Sequence, residues 1–356
     1  MDDRIPLRSR LTQAGIDVGD SLYPKVAEAP WFVRALQAFS GWLAALFLLG
    51  FIALGAVFVI ESTTASLGLG MVMLGCAFAL LRAARGELLE HLALAISLAG
   101  QMLVAWALIE VWEDSAYLWW ALLVLQCVLA LVMPSLVHRG FSAFAASVAL
   151  YMALVTSAMG PVASGTVLLV LTALWLNEFR WPRRINEAQA WGVGLVLGLL
   201  FVQGLAHLGY PLPFFYDMVG GPWVKLGAWL GAGLVALALW WLLQTLRISQ
   251  RLPSVSGLAY MEVVLLMAIS LYVPSVGQGV VLVLIGFAIG HRMLTGLGVF
   301  SLILAIGSYY YWLEVTLLIK ALTLLGLGGL LLVLRWGARQ WLEPDVAHLS
   351  DGEPGP

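Results

Sequence analysis

Long apolar runs recur along almost the whole chain, and they restrict the folds open to it. A helix needs about 20 apolar residues to cross the roughly 30 Å hydrocarbon core of a bilayer. Helices also satisfy their own backbone hydrogen bonds, which lipid cannot do. We place the runs at 34–60, 66–84, 88–110, 117–137, 141–160, 164–181, 188–208, 223–246, 255–273, 276–291, 294–312 and 315–336. The sequence therefore predicts an all-α polytopic transmembrane helix bundle of about 12 spans, covering residues 34–336.

The composition supports placement in a bilayer. Hydrophobic residues make up 62% of the chain and charged residues only 11%, whereas soluble domains carry about 25% charged residues. The formal net charge of -2 gives no electrostatic support for binding nucleic acid. The expected environment is the lipid bilayer.

Charge placement predicts the orientation of the spans. With a cytoplasmic N-terminus, the inner connections carry Arg82, Arg85, Arg139, Arg180, Arg183, Arg184, Arg247, Arg251, Arg292, Arg335 and Arg339. The outer connections carry Glu61, Glu110, Glu113, Asp114, Asp217 and Glu314. Only Lys225 and Lys320 depart from the positive-inside rule. Both termini are therefore expected in the cytoplasm. The short run 276–291 is needed for this arrangement, and a re-entrant segment there would change the parity.

The two ends of the chain are polar. Residues 1–33 are predicted as a cytoplasmic N-terminal segment, in which Ile5, Leu7 and Leu11 allow a short interfacial helix. A partly ordered tail is the alternative. Residues 337–356 have the composition of a cytoplasmic disordered tail.

A stretch near the C-terminus combines interfacial aromatic residues with a lysine inside an apolar run. The aromatic residues Tyr309, Tyr310 and Tyr311 and the carboxylate of Glu314 fit the membrane surface. At about 1.5 Å per residue, Lys320 lies roughly 9 Å deeper. Its ammonium either snorkels to the surface or pairs inward, and inward pairing would create a ligand site.

Further polar residues fall inside predicted spans. Glu262 is too deep to reach the headgroups, while Gln203 and His207 share one helical face. Gln101, Gln126 and Gln244 occupy other spans. These residues either make interhelical hydrogen bonds that fix the packing or line a polar pathway for a substrate or proton.

Glycine pairs at GxxxG spacing predict close helix packing within the bundle. The pairs are Gly194 with Gly198, Gly227 with Gly231, and Gly286 with Gly290.

Two motifs carry a resemblance to a known family. They are the C-terminal pattern Tyr-Tyr-Tyr-x-Leu-x-x-Thr-Leu-Leu-x-Lys, residues 309–320, and the segment from Ala29 to Leu36 before the first run. Together they resemble an uncharacterised family of bacterial inner-membrane proteins, over roughly Pro30 to Arg335. The resemblance implies a multi-pass protein of the bacterial cytoplasmic membrane and no particular chemistry.

Three functional classes remain open. The P-loop, HExxH and GxSxG signatures are absent, and no catalytic residue, metal or cofactor is predicted. The short connections and intramembrane charges favour a transporter or exporter. The lack of site motifs suits an assembly subunit that binds a membrane-protein partner or a second copy. An intramembrane lipid-modifying enzyme is the third possibility.

Overall fold

A computed structural model gives the fold of most of the chain. It describes residues 61–83, 87–112, 115–156, 159–207, 222–250, 263–268, 274–312 and 316–322, with single positions at 43, 47, 50, 51, 54, 55, 270, 325, 326, 328, 329 and 332. Within these residues all regular structure is helical, which confirms the predicted class. The predicted segments 1–33 and 337–356, and most of the runs 34–60 and 255–273, lie outside the described residues.

Nine α-helices are delimited in this part of the chain. They are α1 (Thr63–Ala83), α2 (Glu87–Trp112), α3 (Ala116–Val132), α4 (Leu136–Val155), α5 (Gly160–Leu176), α6 (Ile185–His207), α7 (Pro222–Gln250), α8 (Pro274–Ala288) and α9 (Arg292–Trp312). Two short 3-10 helices, Glu178–Arg180 and Pro182–Arg184, connect α5 to α6.

The helices have the length and surface of membrane-embedded elements. Among the described residues, four are long and apolar enough to cross a membrane, over Thr63–Ala83, Leu89–Trp112, Pro182–Leu205 and Lys225–Thr245. Four shorter apolar helices accompany them. Large apolar side chains face outward on most helices, and Phe287 is 81% exposed. A soluble monomer rarely exposes so much apolar surface, so the bundle is embedded in a membrane.

Two predicted boundaries are wrong at the turn between α3 and α4. The predicted run 117–137 continues past Pro134, whereas α3 ends at Val132 and Met133 is extended, with φ -66° and ψ 135°. A residue before proline avoids the helical region, which explains this end. The next helix begins at Leu136 rather than 141 because Ser135 caps it, accepting a hydrogen bond from the backbone N–H of His138.

The helices pack in antiparallel hairpins and in parallel pairs. In α1 and α2, Gly70 lies against Gly100 and Thr63 donates to Glu110, so these helices are antiparallel. The same arrangement joins α8 to α9 and α3 to α4, while α5 packs against α7. Because α5 returns the chain between them, α4 and α6 run in the same direction and pack together closely.

Two apolar cores stabilise the bundle. The larger core joins α5, α6, α7 and α8 through fully buried side chains such as Leu168, Leu199, Leu242 and Ile285. A smaller core joins α1, α2 and α3. Burial of each such side chain relative to water contributes about 1.5–3 kcal/mol, but lipid is itself apolar, so close packing between helices carries more weight here.

The glycine pairs have different roles. A side chain at Gly194 would collide with the carbonyl oxygen of Gly140, and one at Gly231 would approach that of Pro161 to 2.6 Å. These glycines therefore allow close helix packing, as predicted. The pairing of Gly286 with Gly290 is wrong, because Gly290 lies beyond α8 with φ 69° and ends that helix in a left-handed turn.

Candidate functional site

Five buried polar side chains meet between α2, α3 and α4. We call this group the His138 cluster. Its members are Ser97, Gln101, Gln126, His138 and Ser142, and each is at most 8% exposed. The apolar surroundings of the cluster make a shared hydrogen-bond network the only inexpensive arrangement for these groups.

Helical spacing brings the five side chains together. On α2, Ser97 and Gln101 are four residues apart and therefore share a face, as do His138 and Ser142 on α4. Gln126 completes the group from the second half of α3. Each of three helices thus supplies at least one member, so the cluster depends on the way in which the helices pack.

The hydrogen bonds form a continuous chain. Gln126 Nε2 donates to Gln101 Oε1 over 2.8 Å, and Gln101 Nε2 donates to Ser97 Oγ over 3.2 Å. Ser97 Oγ lies 2.6 Å from His138 Nε2, and Ser142 Oγ lies 3.2 Å from His138 Nδ1. The chain therefore runs from Gln126 through the imidazole to Ser142.

The directions of these hydrogen bonds determine which nitrogen of the imidazole carries the proton. Gln101 Nε2, which can only donate, also lies 3.4 Å from His138 Nε2. The Ser97 hydroxyl accepts from Gln101, which leaves its proton free to point at the imidazole. His138 Nε2 is thus an acceptor, and the ring proton of neutral His138 belongs on Nδ1, where it donates to Ser142 Oγ.

The two ends of the network differ. Gln126 Oε1 is buried and has no hydrogen-bond partner among the described residues, so one acceptor remains open at that end. Beside the other end, Ser135 Oγ donates to Glu90 Oε1 over 2.7 Å and caps the backbone of His138. A carboxylate therefore lies next to the cluster, where α2 and α4 begin. In the same region, Arg139 of α4 pairs with Glu187 of α6.

Histidine gives the cluster chemistry that the other members lack. Its ordinary titration lies between pH 5 and 8, and it donates and accepts hydrogen bonds through different nitrogens. The hydroxyls of Ser97 and Ser142 can each reverse their role by rotation, while the amides of Gln101 and Gln126 can only turn over. The arrangement can accept a proton, but only if its hydrogen bonds rearrange.

Two further residues singled out from the sequence, Gln203 and His207, lie elsewhere. Gln203, on α6, makes two hydrogen bonds to Ser301 on α9: Gln203 Nε2 donates to the Ser301 carbonyl, and Ser301 Oγ donates to Gln203 Oε1, both over 2.7 Å. This buried pair joins two helices. His207 belongs to the last turn of α6. None of these residues belongs to the His138 cluster.

The predicted C-terminal site is only partly described. Tyr309, Tyr310 and Tyr311 lie in the last turns of α9, and Lys320 is half-buried in a helical segment. Glu314 and Glu262 lie outside the described residues. The ligand site around Lys320 stays a prediction.

The sequence signals for the cluster were present but incomplete. Gln101 and Gln126 stood out as polar residues inside spans, and they bond directly to each other. His138 was missed because it precedes Arg139 and fell between the predicted runs 117–137 and 141–160. The Ser-x-x-x-Gln and His-x-x-x-Ser spacings at 97–101 and 138–142 are the signals that identify it.

Comparison with known proteins gives one match. A family model described as a domain of unknown function (DUF4401) matches residues 30–340. No curated protein and no solved structure matches the chain.

Proposed function

Because the chain belongs to the DUF4401 family, whose function is unknown, we propose a function from its own residues: it is a multi-pass transporter of the bacterial inner membrane, with the His138 cluster as its polar site. The observation that carries the proposal is the buried imidazole, bonded through both nitrogens inside a bundle of apolar helices. Ionisable residues within membrane helices are costly, and they commonly mark substrate pathways or proton relays.

The proposed topology has twelve spans with both termini in the cytoplasm. Under this orientation α2 begins on the cytoplasmic side, so Glu90 and Ser135 lie at the inner mouth of the bundle. Gln101 lies eleven residues beyond Glu90, which at about 1.5 Å per residue is roughly 16 Å deeper. The polar network then extends from the inner surface to about half the depth of the hydrocarbon core.

Proton binding at His138 would couple charge to helix contacts. Protonation occurs at Nε2 and converts this acceptor into a donor. Ser97 can then accept through its oxygen, but the amide nitrogen of Gln101 cannot, and it must turn away from the imidazolium. Turning Gln101 breaks its bond to Gln126, so the link between α2 and α3 changes with the protonation of a residue on α4.

This coupling provides a route to alternating states. A ligand or proton shifts a two-state equilibrium only through its different affinity for the two states. Here the two states differ in the Gln101–Gln126 bond and in the charge of His138. A substrate that bonds to the open Gln126 Oε1 favours one of them, which couples its movement to that of a proton.

Reconstituted protein tests the proposal. Proteoliposomes that contain a pH-sensitive dye are given a pH gradient and offered a panel of amino acids, sugars, nucleosides and inorganic ions. We expect one substrate class to accelerate proton entry with the unmodified protein and not with His138→Gln. Gln203→Leu is the matched control, because it removes a buried interhelical hydrogen-bond pair that lies outside the cluster.

Two results would contradict this proposal. A folded His138→Gln protein with full substrate-dependent proton entry would exclude the cluster as the site. A protein that responds to no member of the panel, but copurifies at fixed stoichiometry with another membrane protein, would instead be an assembly subunit.

A further inference from the structure

An open apolar groove runs along the outside of the bundle between α4, α6 and α9. Its volume is about 1020 Å³, just above the range of roughly 300–1,000 Å³ found for small-molecule sites. The walls include Phe141 from α4, Leu197 and Phe201 from α6, and Phe300 from α9. Each of these four side chains is between 41% and 50% exposed, so the groove opens outward to the lipid phase.

The groove has a floor of small residues. Gly140 and Gly194 bring the backbones of α4 and α6 into contact, and Ala190 lies beside Gly140. Larger residues at these positions would fill the groove and separate the helices. The depression is therefore a direct result of the close glycine packing between the two parallel helices.

One end of the groove is polar. Nearly all of its lining is apolar, but at the start of α6 it ends at the exposed side chains of Asn186 and Gln189. A ligand that matches this lining has a long apolar body and a single polar end. This is the shape of a lipid.

The polar end also carries uncompensated positive charge. Arg180, Arg183 and Arg184 in the α5–α6 connection are exposed and make no ion pair within the described residues. Of the neighbouring carboxylates, Glu187 pairs with Arg139, and Glu178 is buried and accepts from the neutral amide of Gln189 over 2.9 Å. The single charge of Glu178 leaves the positive charge of the arginines in excess. Arg183 and Arg184 lie in the short 3-10 helix that leads into α6, three and two residues before Asn186, so their long side chains are within one turn of the polar end.

The length of the groove fits an acyl chain. The lining follows α6 from Asn186 to Phe201, a distance of about 22 Å at roughly 1.5 Å per residue. One leaflet of the hydrocarbon core is about 15 Å thick, so the acyl chain of a lipid in one leaflet is short enough to lie entirely within the groove. We propose that this groove binds one anionic phospholipid, with an acyl chain along α6 and the phosphate at Arg183 and Arg184.

The lipid site is independent of the proposed transport. The groove is lined by Val137, Gly140 and Phe141. His138 and Ser142 lie on a different face of α4, from which His138 bonds to Ser97 on α2. Loss of one site therefore leaves the other in place, and each can be tested without the other.

A lipid titration tests the proposal. Purified, delipidated protein is titrated with phosphatidylglycerol or with phosphatidylcholine of the same chains, and bound lipid is counted by native mass spectrometry. We expect one site that binds phosphatidylglycerol about tenfold more tightly than phosphatidylcholine, from basic residues near an anionic headgroup. Glycerol phosphate, which lacks acyl chains, should not displace the lipid at equal concentration.

Variants separate the contribution of the chain from that of the headgroup. Val137→Trp fills the groove from a position that is 65% exposed, and it should weaken the binding of both lipids at least tenfold. Leu197→Trp does the same from α6. Leu237→Trp, at a 45% exposed position of α7, is the control and should bind normally.

The charge variant is Arg183→Gln with Arg184→Gln. It should remove the preference for phosphatidylglycerol and leave the binding of phosphatidylcholine unchanged. Arg82→Gln, an exposed arginine at the end of α1, is its control.

Three results would overturn the site. In the first case, the unmodified protein would bind both lipids equally. In the second case, both groove-filling variants would bind lipid as tightly as the unmodified protein. In the third case, the groove-filling variants would dissociate a dimer without changing lipid binding, and the occupant would be a second copy of the chain.

Discussion

At the residue scale, the imidazole of His138 has a defined tautomer. The donor-only nitrogen of Gln101 lies close to Nε2, so the ring proton should be on Nδ1. Solid-state NMR of protein labelled with ¹⁵N-histidine should show a neutral histidine with a protonated Nδ1 and a bare Nε2. His138→Gln identifies this signal among the five histidines by removing it.

A different tautomer would change the mechanism. If the His138 signal showed a proton on Nε2, the imidazole would donate to Ser97, and Gln101 could not point toward it. The coupling of protonation to the Gln101–Gln126 bond would then be wrong, although the cluster itself would remain.

Single residues were the hardest features to predict from sequence. Helical runs are set by local apolarity, but a hydrogen-bond network depends on which faces of three helices meet. Gln101 and Gln126 were recognisable because a polar amide inside a span needs a partner, and the sequence cannot say which one. His138 sits in the first turn of α4, where proline and arginine neighbours are typical of a connection.

At the element scale, packing of α6 on α4 depends on glycines whose environments differ along one helix. A methyl group at Gly194 would meet the Gly140 carbonyl and, at 2.9 Å, the Cβ of Ala143. We expect Gly194→Ala to destabilise the protein by about 1–3 kcal/mol, because backbone atoms cannot move aside cheaply. Unfolding of purified protein in mixed micelles measures this change.

The matched control is on the same helix. Apart from its chain neighbours and the backbone of its own helix, no atom of the described residues lies within 4 Å of the position that a Cβ of Gly204 would occupy. Gly204→Ala should therefore be neutral or stabilise by about 0.5–1 kcal/mol. Equal effects of the two substitutions would show that glycine flexibility, and not close helix contact, determines the stability.

Element boundaries show where sequence reading works and where it does not. Apolar length placed most helices correctly, since the described helices from α1 to α7 overlap the second to the eighth predicted runs. The shifts at α3 and α4 come from Pro134 and Ser135, whose capping role outweighs the apolarity of Met133. The GxxxG spacing predicts a packing contact at Gly290, where the structure has a left-handed turn, because spacing alone does not reveal where a helix ends.

At the scale of the whole molecule, the sequence predicts the environment better than the activity. Composition and apolar runs identify a membrane-embedded helix bundle, and the structure confirms it for the described residues. Function depends on a few polar groups whose partners are distant in sequence, such as Ser97 and His138, which are 41 residues apart. The twelve-span topology and the transport activity remain proposals that rest on charge placement and on the His138 cluster.

Orientation is the claim on which the inner mouth at Glu90 and the proposed proton path both depend. Cysteine labelling measures it directly, in a background where the two native cysteines, Cys76 and Cys127, are replaced by serine. Single cysteines are introduced by Arg183→Cys in the α5–α6 connection, Ser62→Cys at an exposed position just before α1, and Gly352→Cys near the C-terminus. Each variant is treated with a membrane-impermeant maleimide in intact spheroplasts and in inverted vesicles.

The proposed topology predicts labelling of the cysteine at 62 in spheroplasts only. It predicts labelling of the cysteines at 183 and 352 in inverted vesicles only. Labelling of the cysteine at 352 in spheroplasts would contradict the twelve-span count, and labelling of the cysteine at 183 there would reverse the orientation of the whole bundle.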